Sequence, residues 1–120
     1  MFGIPEIVSH ELAKILAEAP DSIQLVDVRS PQEMAQGVIQ GADMLPLHLV
    51  PLKADELSGD HRPMIIYCRS GARSAQACAF LAARSGDRQY INLRGGIMDW
   101  VRQGLLVSQP PANTLAGMAG

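Results

Sequence analysis

Hydrophobic positions follow two spacings along the chain, one typical of short buried strands and the other of amphipathic helices. Short apolar runs predict strands, whereas apolar residues three and four positions apart predict helices. The predicted strands are 7–8, 23–28, 43–45, 64–67 and 89–92, and the predicted helices are about 10–18, 31–37, 50–57, 72–85 and 97–103. Because strands and helices alternate over short connections, we expect an α/β fold: a small, mainly parallel five-stranded sheet with helices on both faces.

Polar and helix-breaking residues mark the ends of the predicted helices. Ser9 is interpreted as the N-cap of the first helix. The segment Ser30-Pro31-Gln32-Glu33 has the spacing of a capping box with proline at the first helical position, so it predicts a short helix. Gly86 is expected to end the helix at 72–85. Small residues at helical spacing in that helix predict a face packed closely on the sheet: Ala75, Cys78, Ala79 and Ala82.

Length and charge exclude several classes of protein. A chain of 120 residues fits one compact domain, and 48% hydrophobic with 18% charged residues is typical of a globular fold. The net charge of −2 argues against nucleic-acid binding and against a polybasic membrane surface. The longest apolar run, 64–68, is far shorter than the roughly 20 residues that span a bilayer. The amino-terminal residues lack a signal-peptide pattern, so we expect a cytoplasmic protein.

The cysteines and histidines give no sign of a disulfide framework or a metal site. Two cysteines are too few for such a framework, and a thiol in a reducing compartment suits chemistry better than cross-linking. His10, His48 and His61 are dispersed without the spacing of metal ligands. We therefore expect neither a metal nor a cofactor.

The segment that carries candidate chemistry places Cys68 at the carboxyl end of a predicted parallel strand, directly before a helix. Open α/β sheets build their sites at such positions. A tight strand-to-helix turn aims backbone N–H groups inward, and the helix N-terminus adds partial positive charge. Arg69 and Arg73 add two full charges. Because each of these features favours the thiolate, we predict that Cys68 is an ionised nucleophile at neutral pH. The alternative is a small buried apolar residue, which is the expected role of Cys78.

Three ordered motifs make the sequence resemble the single-domain rhodaneses, which are sulfurtransferases. The motifs are Asp27-Val28-Arg29-Ser30-Pro31-Gln32-Glu33, Cys68-Arg69-Ser70-Gly71-Ala72-Arg73-Ser74 and Leu93-Arg94-Gly95-Gly96-Ile97-Met98-Asp99-Trp100. The resemblance implies a rhodanese-like domain over 4–107, followed by a C-terminal tail at 108–120 that has no hydrophobic periodicity. Val38 stands where the family commonly has histidine, and Met34 where an aromatic residue is frequent, so local packing is expected to differ there.

The resemblance implies that a Cys68 thiolate takes the outer sulfur of thiosulfate or polysulfide and holds it as a persulfide. A thiol or cyanide then accepts that sulfur, and a thioredoxin-like or sulfur-accepting protein is a further expected partner. The persulfide would lie among the N–H groups of the loop: Arg69, Ser70, Gly71, Ala72, Arg73 and Ser74. The cationic mouth of the loop favours an anionic donor.

Some roles stay open from sequence alone. Arg69 and Arg73 are candidates for clamping the donor, or they are solvated charges at a helix start. Asp27 and Arg29 either orient the loop or the donor at the rim, or they form a structural ion pair. A persulfide carrier or regulatory module is a second candidate function, and a phosphatase-like enzyme a third. Cysteine phosphatases carry their arginine six positions after the cysteine, whereas Ser74 stands there in this chain.

Overall fold

The computed structural model describes residues 3–84 and 87–110. The strands in these ranges are β1 (Glu6–Ile7), β2 (Gln24–Asp27), β3 (Asp43–Met44), β4 (Met64–Tyr67) and β5 (Tyr90–Leu93). The α-helices are α1 (Ser9–Glu18), α2 (Pro31–Met34), α3 (Val50–Leu57), α4 (Ala72–Arg84) and α5 (Gly96–Arg102). Short 3-10 turns lie at Pro20–Ser22 and Leu47–Leu49. None of the helices in the described ranges has the length and apolar character to cross a membrane.

The five strands form one parallel sheet in the order β1-β5-β4-β2-β3, which confirms the predicted fold. β4 lies in the centre, and all four of its residues are buried, as expected for an apolar strand covered on both faces. In the register of the sheet, Tyr67 pairs with Asp27 of β2 and Ile66 pairs with Asn92 of β5. The loop after β4 therefore begins between the carboxyl ends of β2 and β5.

Helices cover both faces of the sheet, and alternate residues of β4 point to opposite faces. Met64 and Ile66 belong to a core cluster that includes buried residues of α3 and α4. Ile65 and Tyr67 belong to a second cluster with buried residues of α1 and α5. Cys68 continues the alternation on the α3 and α4 face. This arrangement places the cysteine on the side of the sheet where α4 begins.

The capping box is confirmed, but the predicted N-cap at Ser9 is wrong. In the capping box, the Glu33 N–H donates to the Ser30 hydroxyl at 3.2 Å, and the Ser30 N–H donates to the Glu33 carboxylate at 3.0 Å. The first helix instead has Val8 as its N-cap, and the Val8 N–H donates to the Glu11 carboxylate. Ser9 is already helical, and its buried hydroxyl donates to Asp99 of α5 at 2.8 Å. The predicted helix end at Gly86 lies outside the described residues.

The buried face of α4 differs from the predicted small-residue face. Its buried residues are Ser74, Ala77, Cys78 and Leu81. Ala79 and Ala82 are exposed. The prediction was wrong for Ala79 and Ala82 because the spacing of small residues does not determine which side of the helix packs on the sheet. Hydrogen bonds to Cys68 and Asn92 hold the Ser74 hydroxyl on the buried side instead.

The residues that depart from the family pattern are packed in the interior. Met34 and Val38 form a small buried cluster with Met44 of the edge strand β3. The Val38 backbone exchanges hydrogen bonds of 2.7 and 2.8 Å with Ser108, which was predicted to be the first residue of the tail. The last residues of that predicted tail, 111–120, lie outside the described residues.

Candidate active site

Cys68 lies at the end of β4 as a free, buried cysteine whose sulfur is surrounded by hydrogen-bond donors. The Gly71 N–H donates to Sγ at 3.1 Å, and the Ser74 hydroxyl lies 3.4 Å from it. Gly71 has a φ of 110°, a backbone conformation that residues other than glycine rarely adopt. This turn brings the Gly71 N–H back toward the sulfur. A sulfur in such a nest of donors is suited to carry negative charge.

The amino end of α5 holds the other side of the loop. The N–H groups of Ile97 and Met98 donate to the carbonyl oxygens of Cys68 and Arg69, each at 3.0 Å. This close approach requires a glycine, because a Cβ on Gly96 would lie 2.4 Å from the Arg69 carbonyl oxygen and 2.5 Å from that of Cys68. With these two carbonyls bound to α5, the N–H groups of the loop are left to face the sulfur.

The pKa of the Cys68 thiol is lowered from its ordinary value, which is the direction that the predicted thiolate requires. Burial alone raises this pKa, but hydrogen bonds to the sulfur outweigh burial. They come from the hydroxyl and N–H of Ser74 and from the N–H groups of Gly71 and Ser70. The sequence interpretation credited the N–H groups of the turn, the helix N-terminus and the two arginine charges. Of these, the N–H groups lower the pKa in the structure, and the Ser74 hydroxyl adds a hydrogen bond that the sequence interpretation did not include. Cys78 behaves oppositely, since burial raises its pKa to about 12.

Arg73 forms an ion pair that the sequence interpretation did not include. Its two terminal nitrogens donate to the two Glu33 carboxylate oxygens at 2.7 and 2.8 Å. The hydrogen bond from Arg73 holds the pKa of Glu33 at about 2. The charge of Arg73 is therefore compensated, and the pair connects the start of α4 to α2.

The charged side chain of Arg69 lies at the surface of the protein. Its side chain is exposed, and within residues 3–84 and 87–110 no carboxylate lies at ion-pair distance from it. It borders a shallow, mainly apolar depression of about 300 Å³ beside the loop, together with Gln36, Gly37, Ile97, Met98, Val101 and Val107. Of the two loop arginines, Arg69 is the one available to an incoming anion.

Asp27 and Arg29 are buried, and they lie away from the rim where one of their two candidate roles would place them against a donor. They form a buried ion pair at 2.7 Å, with side-chain exposures of 0% and 6%. Arg29 also donates to the carbonyl oxygens of Gly37 at 2.7 Å and Glu33 at 3.3 Å. The structural alternative is the one observed. Through Glu33 and its partner Arg73, the pair supports the loop from behind.

Of the remaining predicted loop residues, Ser70 contributes through its backbone N–H and Ser74 through its N–H and its hydroxyl. Ser70 is exposed, and Ala72 is the exposed first residue of α4. The side chain of Ser74 is buried and lies 2.5 Å from Oδ1 of Asn92, a residue that the sequence interpretation missed. Its only sequence signal is a polar residue within the buried run 90–93. Within the described part of the chain, no group of three or more metal-ligating side chains is present.

Comparisons with known proteins identify the family of the chain. The family model of the rhodanese-like domain matches residues 9–103. A sulfurtransferase from Allochromatium vinosum is 49% identical over 107 residues, which are 89% of this chain and 97% of that protein. A Bacillus subtilis protein whose name proposes a sulfur-carrier role is 34% identical over 82% of this chain and 51% of its own length. A crystal structure of a thiosulfate sulfurtransferase from Pseudomonas aeruginosa superposes with a TM-score of 0.77 at 25% identity, covering 91% of this chain and 20% of that one.

Proposed function

The chain belongs to the rhodanese-like sulfurtransferase family, and we propose that it moves a sulfane sulfur from thiosulfate or polysulfide through a Cys68 persulfide to a thiol or cyanide. The observation that carries this proposal is the buried Cys68 sulfur with N–H and hydroxyl donors around it. The Pseudomonas aeruginosa protein named as a thiosulfate sulfurtransferase supports thiosulfate as the donor.

In the first step, the Cys68 thiolate attacks the outer sulfur of thiosulfate. A bond forms between Sγ and that sulfur, while the sulfur–sulfur bond of thiosulfate breaks and its electron pair leaves on sulfite. The negative charge passes to the outer sulfur of the new persulfide, which lies in the concavity built by Gly71 and its neighbours. Because the thiolate is already formed, the step needs no general base.

In the second step, the acceptor removes the outer sulfur. Cyanide attacks it, the persulfide bond breaks with its electron pair returning to Sγ, and thiocyanate leaves. A thiolate acceptor reacts in the same way and becomes a persulfide itself. The enzyme alternates between two covalent forms, so initial-rate plots are expected to show ping-pong kinetics.

Charge reversal at Arg69 is expected to weaken the binding of the anionic donor. We expect Arg69→Glu to raise the KM for thiosulfate about tenfold or more, because an exposed, uncompensated cation becomes an anion beside a dianion. The matched control is Arg84→Glu, which makes the same change in net charge at the far end of α4. Steady-state kinetics at low ionic strength measure the effect. Equal KM values in the two variants would remove Arg69 from donor binding.

Assays of turnover separate the proposed enzyme from the other candidates. The Bacillus subtilis relative favours a persulfide carrier as a second candidate. Formation of thiocyanate from thiosulfate and cyanide supports the enzyme, whereas uptake of sulfur without turnover supports the carrier. Hydrolysis of an aryl phosphate without sulfur uptake would instead support a phosphatase. We expect thiocyanate formation and no hydrolysis of the phosphate. The Cys68 loop is one residue shorter than a phosphatase loop, so it encloses a smaller space.

A further inference from the structure

Asn92 lies on the same face of the sheet as Cys68 and contacts the cysteine loop at two places. Its Nδ2 donates to the Gly71 carbonyl oxygen at 3.1 Å, and its Oδ1 lies 2.5 Å from the Ser74 hydroxyl. Asn92 is only 3% exposed, so bulk water does not compete for these contacts. The register that pairs Asn92 with Ile66 explains the placement, since Ile66 and Cys68 point to the same face.

The amide of Asn92 has only one orientation that satisfies its neighbours. The carbonyl oxygen of Gly71 and the Glu6 carboxylate, 3.5 Å from Nδ2, both require a donor. The NH2 group must therefore face them, which leaves Oδ1 facing Ser74 as an acceptor. A serine hydroxyl has one proton. It can donate that proton to Asn92 or to the Cys68 sulfur, 3.4 Å away, but not to both.

We propose that Asn92 is a positioning residue that competes with Cys68 for the single proton of Ser74 and so limits the acidity of the catalytic thiol. In the thiol form, the sulfur donates to Ser74, which donates to Asn92. In the thiolate form, the Ser74 hydroxyl turns to the sulfur and leaves Asn92. After sulfur uptake the charge lies on the outer sulfur, and the hydroxyl returns to Asn92.

The competition has a chemical consequence that rests on the proposed sulfur transfer. Intrinsic nucleophilicity of a thiolate falls as its pKa falls. A thiolate that kept the Ser74 proton permanently would be more abundant but less reactive toward the donor. By competing for the Ser74 proton, Asn92 keeps the Cys68 thiolate both populated and reactive toward the donor.

Substitutions at Asn92 and Ser74 leave the charged groups around the loop in place. The groups that face this region from the neighbouring elements are the Glu33–Arg73 pair of α2 and α4, the buried Asp27–Arg29 pair at the end of β2, and Glu6 of β1 with its partner Arg94. None of these groups, nor Arg69 of the loop, is replaced in the test below. Glu6 loses its contact with Asn92 in Asn92→Leu but keeps its ion pair with Arg94, so the number of charges around the sulfur is the same in every variant.

The test is a double-mutant cycle in which the pKa of Cys68 is read from the pH dependence of alkylation. We expect Asn92→Leu to lower this pKa by about half to one unit, the size of one competing hydrogen bond. In a Ser74→Ala background, Asn92→Leu is expected to leave the pKa of Cys68 unchanged. In a Ser74→Thr background, which keeps a hydroxyl, Asn92→Leu is again expected to lower this pKa. The protein is measured without donor or acceptor, so the result does not depend on sulfur transfer.

Two results would overturn the proposal. If Asn92 only held the loop through Gly71, Asn92→Leu would loosen the N–H donors and raise the pKa. The proposal would also be contradicted if Asn92→Leu lowered the pKa of Cys68 by the same amount in the Ser74→Ala background as in the unchanged protein.

A second measurement tests the proposal where Asn92→Leu fails to fold. In a Cys78→Ala protein at acid pH, only Cys68 contributes an infrared S–H stretch. This stretch is expected at a lower frequency when Ser74 is present than after the Ser74→Ala substitution, because the thiol donates to the serine hydroxyl. Equal frequencies in the two proteins would exclude the thiol-to-serine hydrogen bond and overturn the proposal.

Discussion

Replacing Cys68 by alanine is expected to abolish the proposed sulfur transfer, with a loss of at least about a thousandfold in turnover of thiosulfate and cyanide. The reason is that both proposed steps pass through a covalent bond to Sγ, and the second cysteine cannot substitute. Cys78 lies fully buried on α4, and burial raises the pKa of its thiol to about 12. The measurement is thiocyanate formation, with the mass of the protein recorded after exposure to thiosulfate.

The matched control is Cys78→Ala, which removes the other thiol and leaves the site unchanged. It is expected to retain the turnover of the unchanged protein, at the cost of some stability from a small cavity beneath α4. Sulfur uptake that persists in Cys68→Ala and disappears in Cys78→Ala would reverse the assignment of the nucleophile.

Gly96→Ala is expected to cause the second-largest effect, because it separates α5 from the cysteine loop. Its Cβ would lie 2.4 Å from the carbonyl oxygen of Arg69 and 2.5 Å from that of Cys68. The backbone must move to relieve these contacts, which breaks the hydrogen bonds from Ile97 and Met98. A displacement of this kind is expected to reduce turnover about a hundredfold.

Gly104→Ala separates this displacement from simple backbone strain. Gly104 also has a positive φ, 83° against 61° at Gly96, but a Cβ there would meet nothing within 4 Å. Both substitutions cost about 1–2 kcal/mol from the left-handed conformation, and only Gly96→Ala adds overpacking of about 1–3 kcal/mol or more. Denaturant unfolding and kcat/KM measure the two effects. Equal losses of turnover in both variants would show that α5 does not support the loop.

The sequence was sufficient for features that depend on neighbouring residues. β4 and α3 have the predicted bounds, because a buried apolar run and a helix between breaking residues are local signals. The capping box at Ser30 and Glu33 was predicted for the same reason. The placement of Cys68 between a strand and a helix also follows from local pattern, so the loop could be found without a structure.

Features that depend on contacts between distant segments could not be predicted. The partner of Arg73 is Glu33, 40 positions earlier, and the partner of Ser74 is Asn92, 18 positions later. Hydrophobic spacing carries no information about such pairs. The sequence also left open whether Asp27 and Arg29 reach the rim or form an ion pair, because their burial depends on how α2 folds back over the end of β2.

In the proposed mechanism, backbone and hydroxyl donors keep the Cys68 sulfur ionised inside the protein, and the pH dependence of its alkylation is the decisive measurement. Cys78 is buried, with its pKa raised to about 12, so the native protein reports on Cys68 alone. Because the pKa of Cys68 is lowered, the thiolate forms at lower pH, and we expect a midpoint well below the value of about 8.5 for a free thiol. A midpoint at or above that value would contradict the account.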